Sequence, residues 1–426
     1  VTDRHNGPAI GCVADDFTGA TDLGNTLARQ GLRVSQLVGV PDDDRSLPPA
    51  DAEIVALKTR TAPPGDAVRD SVAALAWLRR RGTSRFVFKV CSTFDSRPDG
   101  NIGPVADALS DALHVRTAVV CPAFPEAGRT VYRGQLFVGG QRLDESSMAD
   151  HPLTPMRDAS VVRLLQAQTD RHVGLIDYDV VRLGPASIAR AFDERSAAGV
   201  GYVVVDALED RHLRDIGAAI AAHPLVVGAS GIVRGLPDAL RAKGVLGTAG
   251  SAAPMVDVAG ATAILAGSAS PSTREQIDAI DGVVASIGFD PLAVAVDPAR
   301  LSDVVDAVVG RLPKVPLLHP SSTPEAVARV QASLGRDEAA RVVESVLAAA
   351  AVRLVAAGVR RLIVAGGETS AAVVHALGVR GLVIGPEIRP GVPWCTTMDE
   401  PRLALALKSG NLGGPTFFGD ALAMLP

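Results

Sequence analysis

Cysteine is scarce in this chain: Cys12, Cys91, Cys121 and Cys395 stand far apart in 426 residues. They show neither zinc-site spacing nor the density of a disulfide framework, which excludes a stapled secreted scaffold. Aromatic residues make up only 4%, too few for base-stacking platforms. The formal net charge is −5 and no basic stripe is evident, which argues against a nucleic-acid partner. No apolar run reaches the ~20 residues of a membrane-spanning helix; Val346–Val352 is broken by Arg353 and reads as amphipathic helix. The opening Val1–Pro8 is polar and lacks the apolar core of a secretory signal. A cytoplasmic setting is expected, with no membrane and no nucleic acid among the partners. Two nucleotide fingerprints are also missing. Without G-x-x-x-x-G-K-[ST] there is no Walker-type P-loop, and without G-x-G-x-x-G after the first strand a dinucleotide dehydrogenase is disfavoured.

What is present is ordinary in bulk and specific in detail. Hydrophobic residues are 47% and charged residues 21%, as in globular enzymes. The length points to two domains. Strand and helix signals alternate, which predicts an α/β protein of two domains, each a mainly parallel sheet flanked by helices. Strands are expected near 9–15, 33–40, 53–59, 85–91, 116–122, 173–177, 202–206 and 225–229, with a helix over 66–81. The alternating segment 130–143 reads as a β-hairpin turning at Gly139-Gly140. Small residues without periodicity mark a linker at 246–260, separating domains at 1–245 and 261–426.

The leading motif is Ala9-Ile-Gly-Cys-Val-Ala-Asp-Asp-Phe-Thr-Gly-Ala-Thr-Asp22. A buried-strand pattern ends in the adjacent carboxylates Asp15 and Asp16, and a helix follows. In open parallel sheets, ligands bind outside the carboxyl ends of strands. Helix capping accounts for one of these acids and leaves the second at the mouth of the sheet. A dehalogenase-type phosphatase would need Asp-x-Asp, and Phe17 occupies the second position.

Three strand-to-helix junctions in the second half are rich in Gly, Ser and Thr: Ile264–Glu275, Leu362–Ser370 and Leu403–Gly414. Ser272 and Glu275 have capping-box spacing, which predicts a helix start just past Ser268 and Ser270; a second helix is expected at Ala371–Leu377. Exposed N–H groups at helix starts, approached through glycines, form anion sites. Three along one sheet edge predict a nucleotide or polyphosphate site.

Ala14-Asp-Asp-Phe-Thr-Gly-Ala20, Lys89-Val-Cys-Ser-Thr-Phe-Asp-Ser96 with Gly100-Asn-Ile-Gly103, Cys121-Pro-Ala-Phe124 with Gly128-Arg-Thr130, His151-Pro-Leu-Thr-Pro155, Gly366-Gly-Glu-Thr369 and Lys408-Ser-Gly-Asn411 together resemble the four-carbon acid sugar kinases over nearly the whole chain. The Lys89–Ser96 and His151–Pro155 segments look like the 3-oxo-tetronate branch. The resemblance implies a sugar-acid-binding N-terminal domain, a nucleotide-binding C-terminal domain and an active site in the cleft between them. It implies ATP and Mg²⁺ as cofactors, with no metal ligand defined, and phosphorylation of the terminal hydroxyl of a 3-oxo-tetronate. A D-threonate or D-erythronate kinase, or a non-catalytic metabolite-binding protein on the same fold, stays open. A homodimer is compatible with it.

On that basis the substrate residues are Asp15, Asp16, Lys58, Arg60, Lys89, Ser92, Thr93 and Asn101, with Lys58 and Arg60 set to meet the substrate carboxylate. Asp15, Asp16 and Asp95 all remain candidates for the acid that orients or deprotonates the attacking hydroxyl. ATP is expected against Ser268, Gly366, Gly367, Glu368, Thr369 and Gly410, with Glu368 near Mg²⁺ or a ribose hydroxyl and Lys408 facing a phosphate. His151 reads as a structural loop histidine and Asp420 as a helix cap.

Overall fold

Ile10-Gly-Cys-Val-Ala14 carries no polar side chain and forms β1, buried along its whole length. The structure, a computed structural model, describes residues 7–42, 47–151, 154–250, 258–320, 323–410 and 412–425. It divides into two compact units, residues 1–252 and 253–426.

In the first unit β1 (Ile10–Ala14) lies inside a parallel sheet with β2 (Val34–Val38), β3 (Ala52–Ala56), β4 (Phe86–Lys89) and β5 (Ala118–Cys121). The short strands β6 (Arg129–Tyr132), β7 (Gln135–Val138) and β8 (Gln141–Arg142) form a separate antiparallel sheet. The main sheet is completed by β9 (Val173–Ile176), β10 (Tyr202–Val205) and β11 (Leu225–Gly228), in the order β2-β3-β1-β4-β11-β5-β10-β9. All its pairings are parallel. Continuous apolar runs explain this, because strands covered by helices on both faces have no polar face to show. The chain departs from β1 to one side and crosses to the other at β4. The β1–β4 boundary is therefore the switch point where such sheets open a crevice.

The second unit contains β12 (Ala261–Ala266), β13 (Ala285–Phe289), β14 (Pro316–Pro320), β15 (Val359–Ala365), β16 (Gly381–Arg389), β17 (Val392–Thr397) and β18 (Ala404–Lys408). Their order is β13-β14-β12-β15-β18-β17-β16. Pairings from β13 to β18 are parallel, and β17 joins β18 and β16 antiparallel. Its core gathers Ile264, Leu317, Ile363, Trp394, Phe417 and Phe418. Here the switch point falls between β12 and β15.

Three expectations are corrected. The 130–143 segment is not one hairpin but three strands: Gly139-Gly140 joins β7 to β8, and a second turn at Arg133-Gly134, both with positive φ, joins β6 to β7. The buried Asp206 carboxylate accepts from the Arg133 and Gly134 N–H groups and fixes that extra turn. Ser270, not Ser272, caps the helix Pro271–Ala279, its hydroxyl accepting from Thr273 N at 3.2 Å; Pro271 at the first helical position suits that start. The helix expected from Ala371 begins four residues earlier and spans Gly367–Ala376, which puts Gly367, Glu368 and Thr369 in its first turn. Of the expected linker, 251–257 lie outside the described residues, as do Pro152, Leu153 and Asn411 of the resemblance motifs.

Candidate functional site

Two groups of the expected residues are brought together, one in each unit. In the first, Asp15 follows β1, its N–H donating to Lys89 O at 3.0 Å across the β1–β4 boundary. Its own carbonyl accepts from Thr59 and Arg60 N–H, at 2.9 and 3.1 Å, which fastens the turn after β3 beside it. Arg60 then folds its guanidinium back, Nε and Nη2 reaching Asp15 Oδ2 and Oδ1, each at 2.9 Å. The same Nη2 lies 2.5 Å from Asp16 Oδ1. Asp16 also caps the helix Phe17–Ala28, accepting from Gly19 N at 3.0 Å and from Thr18 Oγ1 at 2.7 Å.

This geometry separates the two acids. The Asp15 side chain is 5% exposed and bidentate to Arg60, whereas that of Asp16 is 23% exposed. Burial pushes the Asp15 carboxyl up against the pull of Arg60. Burial acts on Asp16 too, but Arg60, Lys89, the Thr18 hydroxyl and the Gly19 N–H outweigh it and hold Asp16 below the usual carboxylate range. Asp16 is thus the ionised acid that a ligand can reach.

Several expected roles change. Arg60 has its Nε and Nη2 occupied by the protein's own acids, so only its Nη1 edge can meet a substrate carboxylate. Lys89, expected among the substrate residues, is withdrawn from the surface: it is 3% exposed, with Nζ donating to Val90 O at 3.0 Å. Asn101 does not turn its amide nitrogen to a ligand; Nδ2 donates to Thr59 O at 2.7 Å and Ala62 O at 3.0 Å, strapping down the turn that carries Arg60. Lys58 stands exposed on that turn and Ser92 is half-buried after β4. Thr93 donates to Asp95 Oδ1 at 2.5 Å, and both are buried. Between them Phe94 takes a left-handed φ of 50° that sends its ring into the core, a conformation that needs its surroundings to hold it. Sequence reasoning missed Cys91. Its half-buried thiol contacts Thr93 Oγ1 at 2.9 Å and feels Arg60, and burial pushes it up to about 11.

The second group surrounds a cavity of about 300 Å³ in the second unit. Gly267 and Ser268 after β12 and Gly366 to Thr369 after β15 line one side of it. Gly366 has φ 129°, and a Cβ there would lie 2.8 Å from Thr369 Oγ1 and 3.3 Å from Ser268 N, so the two loops approach only because that side chain is absent. Gly410, after β18, packs behind Ser268: a Cβ on it would fall 2.3 Å from Ser268 Oγ. Five of the six expected residues line the cavity and the sixth supports it.

The opposite wall was not foreseen. Val327, Val330, Ala339 and Val343 supply an apolar face from the helices Pro324–Leu334 and Arg336–Ala356, with Arg336 and Glu344 beside it. Apolar periodicity on a helix signals burial without telling core from cavity, so no sequence signal distinguished them. A polar, N–H-rich end opposite an apolar slot suits a ligand with an anionic tail and a flat hydrophobic head.

Elsewhere, His151 Nδ1 accepts from Thr154 N and pairs with Thr154 Oγ1, closing its own loop. Asp420 is no cap: it accepts from Arg389 Nε at 2.7 Å and from Thr416 Oγ1. Among the described residues no three His, Cys, Asp or Glu side chains are grouped to hold a metal ion, and no helix is long and apolar enough to cross a membrane.

Comparison with known proteins divides the chain in the same way. Residues 10–236 match the family described as a sugar-binding N-terminal domain, and residues 263–418 the family described as a nucleotide-binding C-terminal domain. The chain is 50% identical over 418 residues to a 3-oxo-tetronate kinase of Burkholderia multivorans, spanning 98% of this chain and 97% of the relative. It is 49% identical over 421 residues to one from Cupriavidus necator, with the same coverage of 98% and 97%. Among solved structures, a Salmonella typhimurium LT2 protein, described provisionally as a tRNA synthase, matches at a TM-score of 0.89 and 38% identity, covering 98% of this chain and 99% of that one. Haemophilus influenzae protein HI1011 matches at 0.81 and 38%, covering 98% and 100%.

Proposed function

The chain belongs to the 3-oxo-tetronate kinase family of four-carbon acid sugar kinases, and from that premise we propose that it transfers the γ-phosphoryl group of ATP to the C4 hydroxyl of a 3-oxo-tetronate, giving the 4-phosphate and ADP. The observation that carries this reading is the 50% identity to a 3-oxo-tetronate kinase across 98% of the chain. An acidic net charge of −5 gives no support to a nucleic-acid substrate.

Phosphoryl transfer depends on positioning and on neutralising charge. Asp16 accepts the C4 hydroxyl proton as the new O–P bond forms and the bond from Pγ to the β–γ bridging oxygen breaks. Its exposure relative to Asp15 supports that assignment. Asp15, locked to Arg60, serves as a positioning residue, and Asn101 does so through the Arg60 turn. The substrate carboxylate meets Lys58 and the free edge of Arg60, while Ser92 and Thr93 receive the remaining oxygens. Asp95, already holding the Thr93 hydroxyl, is the weaker candidate for the base.

Nucleotide binds with its phosphates on Ser268, Gly366, Gly367 and Thr369 and its base against the apolar wall of the cavity. Mg²⁺ suits the donor set as a companion of ATP rather than as a resident ion, because it is held through phosphates with one or two carboxylates. Glu368, exposed in the first helical turn, is the carboxylate that would serve, and the ion would screen phosphate charge. Transfer requires the hydroxyl and the γ-phosphate to meet in line.

The test is a coupled ADP-release assay with ATP and Mg²⁺ on a panel of 3-oxo-tetronates, D-threonate and D-erythronate. A kcat/KM at least about tenfold higher for a 3-oxo-tetronate is expected, roughly 1.4 kcal/mol of discrimination. A preference for a tetronate lacking the oxo group would reassign the substrate.

A further inference from the structure

Lys408 ends β18 and is 0% exposed, directly beneath the Gly410 turn. Its Nζ donates to Thr273 Oγ1 at 3.2 Å and to the carbonyls of Ser409 and Gly410 at 3.0 and 3.1 Å. None of these partners offers a proton in return. Two are carbonyls, and the Thr273 hydroxyl donates to Gly410 O at 2.9 Å. Three acceptors call for three N–H bonds, so the hydrogen bonding specifies the ammonium, not the amine.

Among the described residues no anion forms an ion pair with that buried cation. The helix Pro271–Ala279 presents Thr273 and Gln276 to the β18 loop, β15 sets Ala365 opposite Lys408, and the helix Phe417–Ala423 offers the Phe417 ring at 5.8 Å. The charged and titratable residues of the packed elements are Arg274, Glu275 and Asp278 on the first helix, Arg360 and Arg361 on β15, Glu368 and His375 on Gly367–Ala376 and Asp420 on the last. None of them moves its titration; burial alone does, bringing Lys408 down to about 8. An ion taken out of water without a partner costs several kcal/mol, which a purely structural role could avoid with a neutral donor.

The same turn adjoins the cavity. Gly410 O is held by Ser270 Oγ at 2.7 Å as well as by Thr273 and Lys408, while Gly410 itself packs against Ser268. We propose that Lys408 is a positioning residue whose buried charge is completed by the polyphosphate of a bound nucleotide: it fixes the Gly410 turn against Ser268 from behind and supplies positive charge beneath the glycine loops without touching the phosphates. This rests on the nucleotide reading of the second unit. Its consequence is proton linkage. Anionic phosphates raise the Lys408 pKa, so the protein takes up a proton on binding at any pH between its free and bound values. Affinity is full below about pH 8 and declines above it.

The experiment is calorimetric titration of the full chain with ADP between pH 7 and 9.5, in pairs of buffers differing in ionisation enthalpy. A phosphate's second ionisation, near pH ~6, is over in that window. Expected are proton uptake around pH 8.5 and an association constant falling by up to about tenfold per pH unit. Lys408→Arg, which stays charged, should bind ADP without that decline, and Lys408→Met should bind at least about tenfold more weakly with no proton uptake. Should either variant fail to fold, the wild-type proton count decides by itself. ADP binding with no proton exchange overturns the role of Lys408 and leaves the nucleotide site standing. No ADP binding by the wild type overturns both.

Discussion

Arg60 Nη2 lies 2.5 Å from Asp16 Oδ1, and the residues that meet there are 44 positions apart in sequence. The same nitrogen bonds Asp15, so one guanidinium sets the charge and orientation of two carboxylates at the mouth of the first sheet. Asp16 has a second duty as a helix cap, and the substitution chosen to test it has to keep the cap.

Asp16→Asn does so, since Asn caps as well as Asp. Its kcat should fall by about 10²- to 10⁴-fold, the usual worth of a general base, with ADP affinity unchanged, the helix cap kept and only the ion pair to Arg60 lost from the stability. Asp16→Ala should lose the same activity and also about 1 kcal/mol of stability. Steady-state kinetics with thermal melts separates the two effects, and full activity in the Asn variant would remove Asp16 from the chemistry.

Arg60→Met should leave the buried Asp15 and the half-buried Asp16 carboxylates facing each other without this cation. Breaking such a pair costs about 3 to 5 kcal/mol. The Asp16 carboxyl is held low in the folded protein, so its stabilisation is present above its unfolded value and is lost as pH falls through the folded one. In the variant that loss should set in at higher pH, and the acid limb of kcat/KM should move up with it. Urea unfolding at several pH values, beside a pH–rate profile, measures both.

Gly366→Val should weaken ADP binding by tenfold or more. A side chain at φ 129° would press on Thr369 Oγ1 and the Ser268 N–H, closing the gap through which backbone approaches phosphate. Substrate-acid affinity, measured on the same sample, should not change.

Lys408 also predicts an unusual stability curve. Its folded value near 8 lies below its ordinary 10.5, so the unfolded chain binds the extra proton and stability gains from this group as pH rises between those limits. The full gap corresponds to about 3 kcal/mol. Denaturant titrations of wild type and Lys408→Met from pH 7.5 to 10 should diverge in this sense, wild type gaining on the variant; parallel curves would place the ammonium in a solvated environment.

Much of the scaffold was legible in the sequence because its signals are local. The apolar run of β1, the paired acids after it and the three glycine-rich junctions can each be read within about a dozen residues. What escaped depends on distant partners. Asn101 looks like a ligand residue at a helix start, yet its amide is taken by carbonyls some 40 positions away. Arg60 reads as a carboxylate clamp with its whole fork open, yet Nε and Nη2 fold back onto Asp15 and leave one edge for a ligand. Ser272 and Glu275 have capping-box spacing, but Pro271 takes the first helical position, two residues earlier than that cap would put it, and gives the cap to Ser270. The apolar cavity wall on Val327, Val330, Ala339 and Val343 has the same pattern as any packed helix face.

The most direct test of the account is phosphorus NMR of the complete reaction with ATP, Mg²⁺ and a 3-oxo-tetronate. A new phosphomonoester signal coupled to the C4 methylene protons, growing in step with ADP, is the expected result. ADP accompanied by inorganic phosphate alone, or no consumption of ATP, would contradict it.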